Sequence, residues 1–249
     1  MPGIVEENYW FRRHEAVYLA LAARCAGAVV VEAGCGEGYG ADLLAQQAKS
    51  VLALDYDDDA ITHVRRAYPR VRAVRADLAA LPIRPASVDV VANMQVIEHL
   101  HDQPGFIGEC RRILRPGGTL LISTPNRITF SPGRDRPLNP FHTRELSANE
   151  LLELLRHNGF RVLSMAGLFH GKRLRELDER YGGFIDAQLA AVLGHLPGEA
   201  SLPADLLADV ASVTAADFEI RTDGDFGGAD VEGADIDASL DLVAVAVAE

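Results

Sequence analysis

Lysine is nearly missing from this chain. Of its 24 basic residues only Lys49 and Lys172 are lysines, and the rest are arginines. That bias fits a GC-rich coding sequence and carries no functional meaning. A basic excess is missing too: 36 acids against 24 bases leave a formal charge of −12. Affinity for polyphosphate comes from Lys and Arg displacing counterions, so nucleic acid and an anionic membrane surface are not expected partners. Cysteine is sparse. Cys25, Cys35 and Cys110 have neither paired nor metal-ligand spacing, which argues against a disulfide framework and a Cys-based zinc site. Also missing is an apolar run near the ~20 residues that cross a bilayer, and the first residues lead directly into the charged stretch Glu6 to Arg13. A cytoplasmic location in a reducing compartment is expected.

What is present is an ordinary globular composition, 48% hydrophobic and 24% charged over 249 residues, which fits one α/β domain with insertions. The acids are not evenly spread. Asp217, Glu219, Asp223, Asp225, Asp230, Glu232, Asp235, Asp237 and Asp241 face only Arg221 in the same stretch, a local charge of −8 (nine acids less one base) within the total of −12. Gly-interspersed acids of this kind read as a solvated tail.

The first half alternates short apolar runs with helical segments, the rhythm of a parallel sheet flanked by helices. Strands are expected at Val29 to Glu32, Val51 to Asp55, Val71 to Arg75, Val88 to Ala92 and Thr119 to Ser123, with helices at 39–48, 58–67 and 103–114. Arg115-Pro116-Gly117-Gly118 reads as a turn. Pro132, Gly133, Pro137 and Pro140 make 127–142 a shaped loop, and Ser147 with Glu150 forms a capping box for the next helix. A sixth strand is expected at 160–169 and a last one at 240–247. The insertion between them should carry helices at 174–193 and 204–213.

Glu32-Ala33-Gly34-Cys35-Gly36-Glu37-Gly38 follows the first strand and opens a helix, and its glycines allow a sharp turn and close approach of a ligand. Asp55 ends the second strand, where a carboxylate can accept hydrogen bonds from both ribose hydroxyls. The spacing is not that of a dinucleotide site, and Glu32 would repel a pyrophosphate. A cofactor with a cation near the loop fits better, and S-adenosylmethionine (SAM) has both a sulfonium and an α-ammonium.

Here the sequence resembles the class I SAM-dependent methyltransferases. The acid with Gly34, Gly36 and Gly38, then Arg75-Ala76-Asp77-Leu78, Val88 to His99 and Arg111 to Leu120 match that family's motifs in order. The resemblance implies a Rossmann-like α/β fold with helices on both faces of a seven-stranded sheet, its last strand antiparallel, and an insertion before that strand. It also implies that Gly34, Gly36 and Gly38, after Glu32, line the methionyl part of SAM, that Asp55 holds the ribose, that Asp77 and Leu78 flank adenine, and that Gln95 lies near the sulfonium.

Methyl transfer to a hydroxyl benefits from a base. His142, in Asn139-Pro140-Phe141-His142-Thr143-Arg144-Glu145, lies in the loop expected to overhang the strand ends and is the favoured base, with His99 a weaker candidate. Tyr9, Trp10, Arg12, Asn126, Arg127 and Arg144 are candidate substrate contacts. Mg²⁺ is a candidate for polarising acceptor hydroxyls, with no ligand set assigned. The expected layout is a single domain over 1–249, with an N-terminal lid or helix at 1–27, a SAM-binding core at 28–125, a substrate loop at 126–146 and an insertion with acidic tail at 170–238.

The segments 7–14, 32–42, 124–135 and 139–146 further resemble the mycobacterial methyltransferases of methylmannose polysaccharide assembly. That resemblance implies a small oligosaccharide partner, methylated on the reducing-end 1-OH of short 3-O-methylated α-(1→4)-mannosides. The alternatives are a SAM methyltransferase for a quinone or lipid intermediate and a non-catalytic SAM-binding scaffold. A homodimer is left open.

Overall fold

The computed structural model describes residues 3–193, 202–222 and 235–249. Asp223, Asp225, Asp230 and Glu232 of the acidic tail, and His195, lie outside them. The described residues form two compact units, one of 3–16 with 169–193 and 202–219, and one of 17–168 with 220–222 and 235–249.

The larger unit alternates as the sequence pattern requires: β1 (Val29–Ala33), α2 (Tyr39–Ala45), β2 (Ser50–Asp55), α3 (Asp58–Ala67), β3 (Val71–Arg75), β4 (Val88–Met94), α4 (Gln103–Ile113) and β5 (Leu114–Pro125). The helix α1 (Asn8–Leu21) precedes them. After β5 come the single turn α5 (Arg127–Phe130), α6 (Ala148–His157) and β6 (Phe160–His170), and the chain closes with β8 (Asp241–Ala248). The insertion supplies α7 (Lys172–Tyr181), α8 (Phe184–Leu193), α9 (Ala204–Ala211) and β7 (Phe218–Thr222).

The strand order is β3-β2-β1-β4-β5-β8-β6-β7. Strands β1 to β5 pair in parallel, and β8 runs antiparallel to both β5 and β6. This is the Rossmann-like class I methyltransferase sheet, with eight strands instead of the expected seven because β7, at one edge, comes from the insertion. Val30, Val31, Val91, Leu120 and Ile122 are nearly inaccessible, as parallel strands covered on both faces require. Phe106, Ile107, Cys110 and Ile113 of α4 and Leu151 and Leu155 of α6 pack with Val31, Val91, Leu120 and Ile122 in one cluster.

Three local expectations change. The helix expected over 174–193 breaks where Gly182 (φ +63°) and Gly183 (φ +117°) adopt left-handed backbone, which ends α7 and starts α8. Arg115 to Gly118 lies inside β5, where the pairing with β4 shifts register between Val88 and Val90, so the expected turn is an irregular stretch within the strand. The acceptor candidate Asn126 is fully buried. Its amide donates to the carbonyls of Ile236, Asp237 and Ser239, which ties the end of β5 to the approach to β8.

The capping box forms as expected, with Glu150 N donating to Ser147 Oγ and Ser147 N to the Glu150 carboxylate. Ser147→Ala should destabilise the protein by about 1 kcal/mol in urea unfolding, and an unchanged midpoint would show that the cap carries no weight.

Candidate active site

The neighbours of β1 lie on opposite sides, β2 and β4, so the sheet parts above its carboxyl end and leaves a crevice for a ligand. The loop 34–38, Asp55 and the segment after β4 all emerge there. The glycines of the loop do different jobs. A Cβ on Gly34 would come within 2.6 Å of Val96, and one on Gly38 within 2.4 Å of Val64, so these two serve close packing. Gly36 (φ +48°) has nothing within 4 Å of its Cβ position and presents open backbone. Its N–H donates to Asp55 Oδ2 at 2.8 Å, while Asp57 N donates to Asp55 Oδ1 at 3.0 Å. The carboxylate expected to hold a ribose therefore also holds the glycine loop.

Glu32 is fully buried in β1. Tyr18 donates to its Oε1 at 2.6 Å, and its Oε2 has no hydrogen-bond partner. Burial pushes the Glu32 carboxyl up to about 8; the Tyr18 hydrogen bond opposes this and the charge of Asp55 adds to it. An orphaned acidic oxygen beside an open glycine backbone fits a cationic donor, as the α-ammonium of SAM would be.

Asp77 accepts from Ala79 N at 2.9 Å in a turn after β3, whereas Leu78 is packed in the core cluster. Gln95 sits directly after β4 with φ +57°, held by its N–H to Ser123 O at 2.9 Å. A non-glycine residue in left-handed backbone costs energy and is typical of a residue placed for function.

The second cluster joins the turn after β4 to the loop after β5. The carbonyl of Glu98 accepts from Thr143 N at 2.7 Å and Arg144 N at 3.2 Å, and the Thr143 hydroxyl donates to the Leu100 carbonyl at 2.7 Å. This docks the loop and brings His142 against His99, ring centres 4.8 Å apart. His142 Nδ1 lies 2.7 Å from Glu145 Oε1, and its Nε2 lies 3.0 Å from the Asn139 amide nitrogen. A carboxylate only accepts, so Nδ1 carries the proton and Nε2 the lone pair. Burial keeps the His142 imidazole below its ordinary pKa, against the opposing pull of Glu145, which favours the neutral form. Glu98 is 1% exposed, Thr124 donates to its Oε2 at 3.0 Å, and burial pushes its carboxyl up to about 8.

The remaining candidates are scattered. Arg127 and Arg144 both reach Glu150 at 3.2 Å and remain about half exposed. Tyr9, Trp10 and Arg12 belong to the smaller unit. There Tyr9 has no exposed surface: it packs among Trp10, Phe184 and Phe218, and its hydroxyl lies 2.6 Å from His170 Nε2. It offers no face for stacking a sugar. Arg12 pairs with Glu15 at 2.6 Å. Reading the sequence missed Glu145 and Asn139, although each lies three residues from His142, and it missed Tyr18, whose link to Glu32 has no sequence signal.

A methyltransferase-domain family model matches residues 31–122. A protein of Mycobacterium tuberculosis described as a probable S-adenosylmethionine-dependent methyltransferase is 57% identical over 99% of this chain and 86% of its own length. The chain belongs to the SAM-dependent methyltransferases. A Mycolicibacterium smegmatis relative with the same description is 58% identical over 99% of this chain and 92% of its own. The ubiquinone biosynthesis O-methyltransferase of Xylella fastidiosa is 32% identical over 44% of this chain and 47% of its own.

Among solved structures, a SAM-dependent methyltransferase of Thermotoga maritima superposes with TM-score 0.59 at 18% identity, covering 96% of this chain and 93% of that one. The cyclase SpnF gives TM-score 0.60 at 20% identity, covering 94% and 80%. These show the fold alone, and a cyclase among them shows that this fold serves more than one chemistry. Among the described residues, no helix is long and apolar enough to cross a membrane.

Two measurements test the cofactor half of this methyltransferase. Asp55→Ala removes the expected ribose acceptor and frees the Gly36 loop, so SAM affinity by calorimetry should fall roughly 10- to 100-fold; unchanged affinity would rule out the ribose role. The raised carboxyl of Glu32 binds its proton more tightly folded than unfolded, so its contribution is present at acid pH and lost as pH climbs towards about 8. The melting temperature of the ligand-free protein should therefore fall between about pH 5 and 8, with a shallower slope in Glu32→Gln. Equal slopes would contradict the burial of this charge.

Proposed function

We propose that this methyltransferase is an O-methyltransferase acting on a sugar hydroxyl, the reducing-end 1-OH of short 3-O-methylated α-(1→4)-mannosides. The observation that carries the O-methyl reading is the His142–Glu145 pair, a neutral imidazole held in one tautomer on a loop at the strand ends. Bound SAM supplies an electrophilic methyl group on a sulfonium. The chain's part is to hold the cofactor through Glu32, Gly36 and Asp55, to seat the acceptor under the 126–146 loop, and to take the hydroxyl proton at His142 Nε2. Glu145 then stabilises the imidazolium that forms. The Asn139 amide now donates to that nitrogen, so an acceptor hydroxyl must replace it.

Several features support a sugar. An anomeric hydroxyl is more acidic than other sugar hydroxyls, so one histidine suffices. A neutral oligosaccharide asks for polar groups and an aromatic face, not a basic groove, and the loop carries Arg127, Arg144 and Phe141, the last 78% exposed. High identity to mycobacterial relatives along nearly the whole chain is consistent with a substrate of that lineage. A quinone-type acceptor draws support from the Xylella relative, but that match covers less than half of each chain.

His142→Ala should leave SAM affinity nearly unchanged and lower turnover by about two orders of magnitude; retained turnover would remove His142 from the base role. The acceptor is tested by incubating the protein and SAM with a panel of mannosides and quinone precursors, with and without EDTA, and mapping the methylated position by NMR. Methylation at the reducing-end 1-OH is expected. A quinone product, or SAM binding with no product from any acceptor, would overturn the sugar reading, and the EDTA arm decides whether Mg²⁺ takes part.

A further inference from the structure

Glu98, His99 and His142 each place one ligand-capable atom within 4.8 Å of the others. Two imidazoles and one carboxylate are the donor set of a facial divalent-metal site. The outer partners fit this as well. His99 Nδ1 lies 3.0 Å from the carbonyl oxygen of Phe141, so it must be the protonated nitrogen, and the lone pair sits on Nε2, 4.0 Å from Glu98 Oε1. His142 is set the same way by Glu145. Metal-bound histidines characteristically donate their second ring N–H to a carboxylate or a backbone carbonyl, and here one does each. The remaining oxygen of Glu98 is held by Thr124, and Glu145 and Asp241 add negative charge around it.

We propose that Glu98, His99 and His142 bind a borderline divalent cation of the zinc class through one carboxylate oxygen and two Nε2 atoms, leaving further positions open to water or ligand. Imidazole donors select against Mg²⁺ and Ca²⁺, which prefer oxygen shells. Zinc–nitrogen bonds of about 2.0–2.1 Å require the cluster to contract, and the His99 side chain, 41% exposed, has room to swing inward. The Asn139 amide must turn away from His142 Nε2. That lone pair is also the one assigned to proton abstraction, so the metal-free and metal-loaded proteins are chemically distinct states.

The test is a Co²⁺ titration of the full chain without an affinity tag, stripped with EDTA, followed by visible absorption. One equivalent of Co²⁺ should give a saturable band that Zn²⁺ displaces and excess Mg²⁺ does not, with affinity at least roughly tenfold weaker in His99→Ala and in His142→Ala. Zn²⁺ should also raise the melting temperature of the wild type and not of His99→Ala, a variant whose exposed side chain makes misfolding a poor explanation. No saturable band, a band equally strong in both variants, or displacement by Mg²⁺ would overturn the proposal. These are binding readouts, so failure of His142 as a base would leave them unchanged.

Discussion

The docking of the loop after β5 onto the carbonyl of Glu98 is the contact on which the candidate chemistry depends. The N–H groups of Thr143 and Arg144 converge on that one oxygen, and the Thr143 hydroxyl donates to the nearby Leu100 carbonyl. Gln103 reinforces it by donating to the carbonyls of Ile97 and Arg144 at 3.0 and 2.8 Å. A proline-rich segment with little regular structure of its own is thereby held against the end of the sheet, and His142 is delivered to a defined place. Without that contact the histidine would belong to a surface loop with no fixed relation to the cofactor crevice.

Buried acids give the site its electrostatic character. Glu32 lies near the end of β1 and Glu98 in the turn that follows the adjacent strand β4, each almost inaccessible and each carrying a carboxyl raised by burial. Keeping a carboxylate in such a place costs free energy unless a donor or cation answers it. Tyr18 and Thr124 answer in part. The unpaired oxygen of Glu32 is the clearest remaining demand in the crevice, and a cationic cofactor group is the chemistry that meets it.

Much of the sheet was legible because parallel strands buried on both faces must be almost wholly apolar, and Val29 to Val31, Val51 to Leu54 and Leu240 to Val247 say so directly. A lone acid at the end of such a strand reads as a ligand-edge group, and the fold sets the Asp55 carboxylate on the N–H groups of Gly36 and Asp57. Leu78 and Tyr9 were ambiguous in principle, since an apolar or aromatic side chain reads the same whether it meets a ligand or a neighbour, and the fold packs both into its interior. Asn126 looked like a polar loop contact and instead satisfies three carbonyls more than a hundred residues away in sequence.

The sequence alone determined the fold class, through local periodicity, and the family, through a resemblance carried by short motifs in order. Tertiary structure decided the rest. Only folding pairs Tyr18 with Glu32 and sets His142 beside His99 and Glu98, 43 and 44 residues apart by number. It also determines that Gly36, and neither Gly34 nor Gly38, faces open space. The reason is physical: burial, tautomer and the proton affinity of a carboxyl are properties of surroundings assembled from distant segments, and no single segment contains them.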